Sequence, residues 1–277
     1  MLNQLLIDEI IKKALNEDMP FGDITTDNLI DEQSISRAQI IAKEKGVIAG
    51  IDIAARVFEI LDDKVVFKKH VSDGWKVSKG DIIAEIQGKT RALLKGERTA
   101  LNILQRLSGI ATKTNEICEV VKDLPVSVAD TRKTVPGLRI LDKYAVKMGG
   151  GSNHRYSLSD GVLIKDNHIA AAGGIKKAVE LARKSIPHTI KIEVETETLE
   201  QVKEALEAGA DIIMLDNMSI EIMKKAVAII NKRAVIEASG NITKDNIREV
   251  ALTGVDIVSI GALTHSVKAM DISMKLK

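Results

Sequence analysis

The second half of the chain alternates short apolar segments with amphipathic helical ones, and this alternation limits the possible folds more than any other feature. The predicted strands are 125–130, 161–165, 189–194, 211–215, 234–238 and 256–260, and the predicted helices between them are 138–148, 175–184, 199–208, 220–231 and 245–252. Buried parallel strands form apolar runs and need a crossover connection, usually a helix. The pattern therefore predicts a parallel sheet that is covered by helices.

An internal repeat indicates the same architecture. The sequence EALEAGADIIML begins at Glu204, and EVALTGVDIVSI begins 45 residues later at Glu249. Six strand–helix units in succession favour a closed or nearly closed barrel. A doubly wound sheet is the alternative, but it usually carries a G-x-G-x-x-G sequence after its first strand, and none follows 125–130.

The first part of the chain predicts a smaller domain with a half-covered antiparallel sheet. Helices are predicted over 2–16 and 53–61, and strands within 37–49, 65–71 and 75–86. We expect tight strand pairs that turn at Lys45-Gly46 and at Lys79-Gly80-Asp81. The segment 75–86 is similar to biotinyl and lipoyl carrier domains, but it lacks the motif around their modified lysine.

A long helix with a continuous apolar face is predicted from residue 96 to residue 121. Gly109 lies in its interior, where glycine costs roughly 1 kcal/mol relative to alanine, so we expect another element to pack closely there. Arg98 is predicted in the first turn, where a cation opposes the helix dipole. That position makes Arg98 a candidate for ligand contact.

Composition and charge argue against several classes of function. The 277 residues have a formal net charge of +1, and 2% of them are aromatic, so no nucleic-acid or membrane partner is expected. Cys118 is the single cysteine, which excludes an internal disulfide and favours a reducing compartment. The N-terminal segment does not read as a signal peptide, and no apolar run is long enough to span a bilayer. We therefore expect a cytoplasmic protein.

Cationic side chains are concentrated between residues 130 and 169, around the triple glycine 149–151. Because the whole chain is nearly neutral, this local density indicates a small anionic ligand with phosphate or carboxylate groups. Lys143 and Lys147 lie four apart on a predicted helix, and we expect both to face water. The better candidates follow strands or lie in the glycine-rich loop; they are Arg132, Lys133, Arg155 and Lys165.

Polar side chains follow nearly every predicted strand, at the end where barrel enzymes carry their active sites. These strand-end residues are Asp130, Thr131, Arg132 and Lys133; Lys165, Asp166 and Asn167; Glu193 and Glu195; Asp216 and Asn217; Glu237, Ser239, Gly240 and Asn241; and Ser259 and Gly261. A helix cap explains any one of them. That explanation weakens when it is needed at six strand ends.

The chemistry of these residues changes along the chain. The cations come first, the carboxylates of Glu195 and Asp216 follow, and small residues in 239–241 and 259–261 come last. Carboxylates suit ribose hydroxyls or Mg²⁺, which prefers a few carboxylates together with substrate phosphates. Small residues suit a phosphate bound through backbone N–H groups. We expect no zinc site, because His154 and His168 lack a companion ligand at zinc-site spacing.

Along essentially its whole length the sequence strongly resembles the quinolinate phosphoribosyltransferase family. The resemblance is densest in EDMPFGDITTD, ERTALNILQRLSGIAT, ADTRKTVPGLR, KYAVKMGGGSNHR, LIKDNHI, IEVE, IMLDN, EASGNIT and VSIG, which follow in family order. It implies an N-terminal α/β sandwich domain in 1–110 and an incomplete TIM-like α/β barrel in 111–264, with a tail, 265–277, that returns to the first domain. It also implies a homodimer, or a multiple of dimers, with shared active sites.

The resemblance implies a reaction. The family transfers the phosphoribosyl group of 5-phosphoribosyl-1-pyrophosphate to quinolinate in the presence of Mg²⁺. The products are nicotinate mononucleotide, pyrophosphate and carbon dioxide, within de novo NAD biosynthesis.

Residue roles carry over from the family motifs to matching positions. Arg98 is expected from the neighbouring subunit. The quinolinate carboxylates are assigned to Arg132, His154 and Arg155, and the catalytic set is Lys133, Lys165, Glu195 and Asp216. Glu195 and Asp216 are also the expected Mg²⁺ ligands, partly through substrate. Further substrate contacts, including the 5′-phosphate site, are assigned to Thr131, Ser239, Gly240, Asn241, Ser259, Ile260 and Gly261.

Two departures from the family pattern concern the shell of the ligand site: Val135 replaces a usual threonine, and Tyr156-Ser157 replaces a pair that usually ends in glycine. Three other functions remain open. They are a same-fold relative associated with molybdate transport, a nicotinate phosphoribosyltransferase, and a non-enzymatic module that binds a phosphorylated sugar.

Overall fold

The computed structural model describes residues 2–277, which divide into two compact units. The first unit consists of the chain up to Asn115 together with Thr134–Gly150 and Thr264–Lys277. The second consists of Glu116–Lys133 and Gly151–Leu263. The division is more interleaved than a single boundary after residue 110, because 134–150 belongs with the N-terminal part.

A four-stranded antiparallel sheet forms the centre of the first unit. Its strands are β1 (Ile35–Ala42), β3 (Val66–Lys69), β5 (Ile82–Lys89) and β12 (Ile272–Leu276), in the order β12-β1-β5-β3. Ile40 of β1 lies opposite Met274 of β12, so the last strand of the chain adds to the first sheet.

The two predicted strand pairs are wrong. β2 (Gly46–Val47) pairs with β4 (Lys76–Val77), and neither strand folds back on its neighbour in sequence. β1 pairs with β5 instead, because its alternate residues Ala38, Ile40 and Ala42 are buried against the core. The glycine turn signals are local, whereas burial of an apolar face selects a strand's partner.

The helices of this part of the chain are α1 (Gln4–Asp18), α2 (Ile24–Leu29), α3 (Ile51–Leu61), α4 (Thr90–Val121) and α5 (Arg139–Met148). Side-chain caps begin the first two: Asn3 accepts the N–H of Leu5, and Asp23 accepts the N–H of Thr26.

The start of α4 corrects the prediction for Arg98. The helix begins at Thr90, so Arg98 lies in its interior and the argument from the helix dipole fails. Gly96 does not begin the helix; a Cβ there would lie 2.8 Å from Cδ1 of Phe58. A glycine is therefore needed at position 96 for close packing inside α4, and it does not mark the start of the helix.

Two more glycines allow backbone segments to approach closely. A Cβ on Gly109 would lie 2.2 Å from the carbonyl oxygen of Lys268, and one on Gly149 would lie 2.4 Å from that of Ala111. The close packing expected at Gly109 is confirmed. The first glycine of the triple glycine has a packing role as well.

The expectation that Lys143 faces water is wrong, whereas Lys147 is exposed as expected. Lys143 is 0% exposed, as is its neighbour Asp142. The carboxylate of Asp142 accepts two hydrogen bonds from Arg106, at 2.8 and 2.9 Å. This face of α5 therefore buries charged groups, which a search for an apolar stripe cannot detect.

A six-stranded parallel sheet forms the second unit. Its strands are β6 (Ser127–Ala129), β7 (Val162–Ile164), β8 (Ile192–Thr196), β9 (Ile212–Asp216), β10 (Val235–Ser239) and β11 (Ile257–Ser259). All six predicted strands are confirmed. The helices around them are α6 (Asp166–Ala172), α7 (Ile175–Ser185), α8 (Leu199–Glu207), α9 (Ile220–Ile230), α10 (Ile247–Ala251) and α11 (Ala262–His265). The sequence did not predict α6, which has no buried residue and hence no apolar period.

The strand order, β6-β11-β10-β9-β8-β7, excludes a doubly wound sheet. Strands β7 to β11 lie side by side in chain order, without the reversal of a doubly wound sheet, and β6 lies next to β11. Within residues 2–277 no ladder joins β6 to β7; a single bridge links Ala129 to Ser152 at that gap. The second unit is an incomplete α/β barrel, as expected.

The repeated segments share a device at the starts of their strands. Oδ2 of Asp211 accepts the N–H of Ile192 at 2.8 Å, and Oδ2 of Asp256 accepts the N–H of Ile236 at 2.8 Å. Each aspartate occupies the same place in its repeat and ties its strand to the neighbouring one.

Among residues 2–277, none of the helices combines the length and the apolar character that crossing a membrane requires.

Candidate active site

The loop that carries His154 and Arg155 is tied to the end of β6. Asp130 is 0% exposed. Its Oδ1 accepts the N–H of His154 at 2.9 Å, and its Oδ2 accepts from Nδ2 of Asn153 at 2.7 Å. The backbone of Ser152 bonds to both Val128 and Asp130. One buried carboxylate therefore holds the two residues that precede the loop's arginine, Asn153 and His154.

Arg132 and Arg155 form a pair of guanidinium groups within the second unit. Nε of Arg132 is buried and has no hydrogen-bond partner in the described chain. Burial lowers the pKa of Arg155, and the charge of Arg132 lowers it further. Nη1 of Arg155 donates to the carbonyl of Gly161 at 2.9 Å. Two cations that repel each other and retain a buried donor suit an anionic ligand.

Lys165 and Glu195 form an ion pair across the ends of β7 and β8. The N–H of Lys165 donates to Nδ1 of His168 at 3.0 Å, so His168 helps to begin α6. Lys133 is exposed at the end of β6, where its N–H donates to the hydroxyl of Thr131 at 3.1 Å. The barrel thus brings Lys165 together with Glu195, which lies 30 residues away in sequence.

Asp216 is held by the adjacent residue Asn217, which the sequence analysis named only as a strand-end residue. Nδ2 of Asn217 donates to Oδ2 of Asp216 at 2.7 Å, and Nδ2 of Asn241 donates to Oδ1 of Asn217 at 3.0 Å. Asn217 and Asn241 have positive φ angles of 53° and 50°. Non-glycine residues rarely adopt this conformation, which concentrates at functional sites.

Gly240 completes this corner of the site. Its φ is +95°, and a Cβ there would lie 2.2 Å from Oδ1 of Asn217. Ser239 contributes its carbonyl oxygen, which accepts the N–H of Asn217 at 2.9 Å. The ends of β9 and β10 are therefore locked together by a compact turn that only glycine fits.

The end of β11 offers fewer unused backbone N–H groups for a phosphate than the sequence predicted. Ser259 and Ile260 are buried, and the N–H of Ile260 donates to the carbonyl of Ala129 at 2.9 Å. The hydroxyl of Ser259 contacts the carboxylate of Glu237 and lowers its pKa. Since the N–H of Ile260 is used inside the sheet, any phosphate contact of this segment falls to Ser259 or Gly261.

Glu193 and Glu237 form a buried cluster with His154 that the sequence analysis did not assign. Nε2 of His154 lies 3.1 Å from Oε2 of Glu193 and 3.6 Å from Oε2 of Glu237. The two glutamates are 4% and 1% exposed. One ligand atom from each of the three residues lies within 4.8 Å of the others, a spacing that a metal ion could bridge. Sequence spacing does not reveal these companions of His154, because they come from the separate strands β8 and β10.

The carboxylates of this cluster are imperfectly satisfied. Oε1 of Glu193 and Oε1 of Glu237 are buried without a hydrogen-bond partner among the described residues. Burial, and then the charge of Glu193, raises the pKa of Glu237 to about 7, although His154 opposes the rise. The sequence places both glutamates at strand ends, but Glu193 is the second residue of β8 and Glu237 the third of β10. Their approach to His154 depends on the sheet register.

The comparisons agree with this architecture. The family model described as quinolinate phosphoribosyl transferase, N-terminal domain, matches residues 23–108, and the C-terminal domain model matches 110–275. The crystal structure of NadC from Streptococcus pyogenes is 45% identical, with a TM-score of 0.97 over 100% of this chain and 98% of that chain.

Curated relatives match over nearly their whole length. A protein of Bacillus subtilis named probable nicotinate-nucleotide pyrophosphorylase (carboxylating) is 46% identical over 273 residues, which is 99% of this chain and 94% of the relative. A Methanocaldococcus jannaschii protein of the same name is 48% identical over 277 residues, covering 97% and 96%. The chain therefore belongs to the quinolinate phosphoribosyltransferase family.

Proposed function

We propose that the protein transfers the phosphoribosyl group of 5-phosphoribosyl-1-pyrophosphate to quinolinate and releases carbon dioxide, in de novo NAD biosynthesis. The observation that carries this proposal is the pairing of Arg132 and Arg155 at the carboxyl edge of the sheet. Quinolinate has two adjacent carboxylates. Two fixed guanidinium groups match them with planar, forked donors, which lysine cannot provide.

The chemistry needs charge placement more than proton transfer. The ring nitrogen of quinolinate attacks C1 of the ribose as the bond from C1 to the pyrophosphate oxygen breaks. The pyridinium product then loses the C2 carboxylate as carbon dioxide; the bonding electrons pass to the ring, and a proton replaces the carboxylate at C2. Lys165 and Lys133 are the cations assigned to the departing pyrophosphate, where preorganised charge lowers the barrier.

Glu195 and Asp216 fit the Mg²⁺ that the family implies. Both offer carboxylate oxygens at the ends of adjacent parallel strands. Oxygen donors of this kind hold Mg²⁺ when substrate phosphates supply the remaining ligands. The ion would neutralise charge on the pyrophosphate, and the same carboxylates would orient the ribose hydroxyls.

We propose a homodimer, or a multiple of dimers, in which Arg98 enters the site of the neighbouring subunit. Arg98 is exposed in the interior of α4, so a capping role does not explain it. Mixing Arg98→Ala and Arg132→Gln subunits tests this sharing. A mixed dimer keeps one intact site only if Arg98 acts across the interface, so activity should return on mixing two inactive proteins. If mixing restores nothing while mixed dimers form, the sharing is refuted.

A cytoplasmic location completes the proposal. Cys118 is the only cysteine, and burial raises the pKa of its thiol to about 11. It therefore remains a protonated, weakly reactive thiol. A single cysteine cannot form an internal disulfide, and this composition is typical of a reducing compartment. Fractionation of cells that express the tagged protein would test this location.

The other functions make different predictions. A nicotinate phosphoribosyltransferase binds one carboxylate, which leaves one guanidinium of the Arg132–Arg155 pair unused. A module that only binds a phosphorylated sugar does not turn over, and neither would a relative linked to molybdate transport that lacks the transferase reaction. Replacing Glu195 and Asp216 by Gln and Asn should abolish turnover in an enzyme, whereas a binding module would retain most of its ligand affinity.

A single-turnover assay distinguishes these functions. The purified protein is mixed with Mg²⁺ and 5-phosphoribosyl-1-pyrophosphate, with quinolinate in one sample and nicotinate in the other, and mononucleotide and carbon dioxide are followed. Product from quinolinate alone is the expected result. Product from nicotinate would contradict the two-carboxylate assignment, and no product from a folded protein that binds the donor would favour a binding module. Omitting the ribosyl donor should stop carbon dioxide release, because decarboxylation follows transfer.

A further inference from the structure

Both ring nitrogens of His154 are engaged inside the protein. Nδ1 accepts the backbone N–H of Arg155 at 2.8 Å. Nε2 faces Oε2 of Glu193 at 3.1 Å and Oε2 of Glu237 at 3.6 Å. A backbone N–H can only donate, so Nδ1 must be unprotonated, and a ring nitrogen that faces carboxylates is the one that carries the proton. This pattern defines the neutral tautomer with its proton on Nε2.

A neutral imidazole with both nitrogens occupied is a poor ligand for a carboxylate. Protonation of Nδ1 would remove its bond to the N–H of Arg155. A turn of the ring toward substrate would leave Glu193 and Glu237 buried with yet another unsatisfied oxygen, which is costly. His154 is also fixed at its backbone, because its own N–H donates to Asp130.

We infer that His154 is a positioning residue which, with Glu193, Glu237 and Asp130, fixes the backbone of Arg155 and thereby aims its guanidinium at the anionic substrate. Two sets of contacts support this role. Asp130, which directly follows β6, accepts the N–H of His154. The imidazole accepts the N–H of Arg155 and is itself held by Glu193 and Glu237. The side chain of Arg155 is then fixed at Nη1 by the carbonyl of Gly161. The role assigned to Arg155 rests on the proposed function.

A divalent metal ion in the same cluster is the competing occupant. The ligand atoms of His154, Glu193 and Glu237 are close enough. However, Arg155 lies near enough to Glu193 for its pKa to respond to that carboxylate and to Arg132. The guanidinium of Arg155 beside Glu193 already offsets part of the negative charge of the cluster and would repel a further cation.

Nitrogen NMR of the imidazole tests the inference directly. Protein labelled with ¹⁵N in its histidine rings is measured with and without saturating quinolinate, and His154→Gln identifies the signal. We expect an unprotonated Nδ1 and a protonated Nε2 in both states. Two protonated nitrogens, or a change of protonation on adding quinolinate, would show that His154 is a cationic ligand. A metal-bound Nε2 after addition of Mg²⁺ or Zn²⁺ alone would overturn the inference in favour of the metal site.

Kinetics of Glu237→Gln test the consequence for substrate binding. Glu237 is buried and contacts His154 and the hydroxyl of Ser259. Because the orientation of Arg155 depends on His154, we expect KM for quinolinate to rise about 10-fold, with kcat and KM for the ribosyl donor within about twofold. Asp256→Asn is the matched control, since it weakens the same strand at Ile236, beside Glu237, without a contact to His154, and it should change none of these constants. If Glu237→Gln and Asp256→Asn change these kinetic constants equally, Glu237 has only a structural role. The NMR result stands even if neither quinolinate nor the variant gives turnover, so the two proposals fail separately.

Discussion

The starts and the ends of the parallel strands treat charged groups in opposite ways. At the starts, Asp211 and Asp256 each accept a backbone N–H from the neighbouring strand, and Asp211 also accepts from Arg183. Farther along the strands and after them, three buried polar atoms have no hydrogen-bond partner among the described residues; they are Nε of Arg132, Oε1 of Glu193 and Oε1 of Glu237. The carboxylates at the strand starts are hydrogen-bonded, whereas these three atoms are not.

This difference separates stability from function. An unsatisfied buried polar group costs about 1–3 kcal/mol. A protein retains such groups where a ligand, water or ion completes them. Substitutions at the strand starts should therefore change stability, whereas substitutions toward the strand ends should change binding and catalysis.

The largest effect is expected from Arg132→Gln. The change removes a buried cationic donor that awaits an anion, so kcat/KM for quinolinate should fall roughly 100-fold, equivalent to about 2.7 kcal/mol. The urea midpoint should hardly change. Arg183→Gln is the matched variant at the strand starts, and it should lower the midpoint slightly while leaving kcat/KM unchanged. If the two variants behave alike, the contrast between the regions is not functional.

Gly240→Ala should have the next largest effect. A Cβ would lie 2.2 Å from Oδ1 of Asn217 at a φ of +95°, and such strain costs about 1–3 kcal/mol. Displacing Asn217 would release Asp216, so KM for the ribosyl donor should rise about 10-fold or more.

Gly254→Ala provides the counterpart for this change. Gly254 has a φ of +96° and lies before β11, with Val227 as its nearest neighbour at 3.2 Å. It should lose stability through the same backbone strain with an unchanged KM. A rise in KM for both alanine variants would indicate a general loosening of the barrel.

Asp211→Asn should lower the free energy of unfolding by about 1 kcal/mol, because it removes the negative charge that strengthens the bonds to the N–H of Ile192 and to Arg183. Turnover at saturating substrate should stay the same. Chemical denaturation measured beside the activity assay checks both expectations. A loss of activity without a loss of stability would contradict the assignment of Asp211 to the framework.

The same substitution should alter the response to acid. Burial alone would raise the pKa of Asp211, but the N–H of Ile192 and the charge of Arg183 outweigh it and lower the pKa below the ordinary value of 3.8. The stabilisation is therefore present above pH 3.8 and is lost as the pH falls through the lower, folded-state value. Asp211→Asn should lose this acid-sensitive part, so its stability should approach that of the wild type below pH 3.8. If the difference in unfolding free energy between the wild type and Asp211→Asn stays constant down to pH 2, this explanation is wrong.

Tyr156→Phe should have the smallest effect. The hydroxyl of Tyr156 donates to Oδ1 of Asn153 at 3.0 Å in an exposed loop, and exposed hydrogen bonds contribute little net energy, roughly 0.5–1 kcal/mol. We expect kcat/KM for quinolinate to fall by less than about threefold. A larger loss would mean that this departure from the family pattern contacts the ligand.

Sequence alone could predict the alternating strands and the strand ends, because both depend on local apolar runs. It could not predict that β2 pairs with β4, since strand partners are chosen by burial at a distance. Lys143 was misjudged because helix periodicity assumes that charged faces meet water. Glu193 and Glu237 reach His154 only when β8 and β10 assemble beside the loop after β6, so no sequence spacing predicts this contact.

The pairing of β12 with β1 has a consequence for synthesis of the chain. β1 forms one edge of the first sheet until residues 272–276 arrive to cover it. During translation β1 leaves the ribosome well before the strand that protects it, because residues 43–271 are made between the two. An uncovered edge can pair with another chain, so nascent copies are exposed to chaperones or to misassociation while these residues are made. Slowing translation just before residue 272 should therefore raise aggregation, whereas chains in which β12 has paired should resist it.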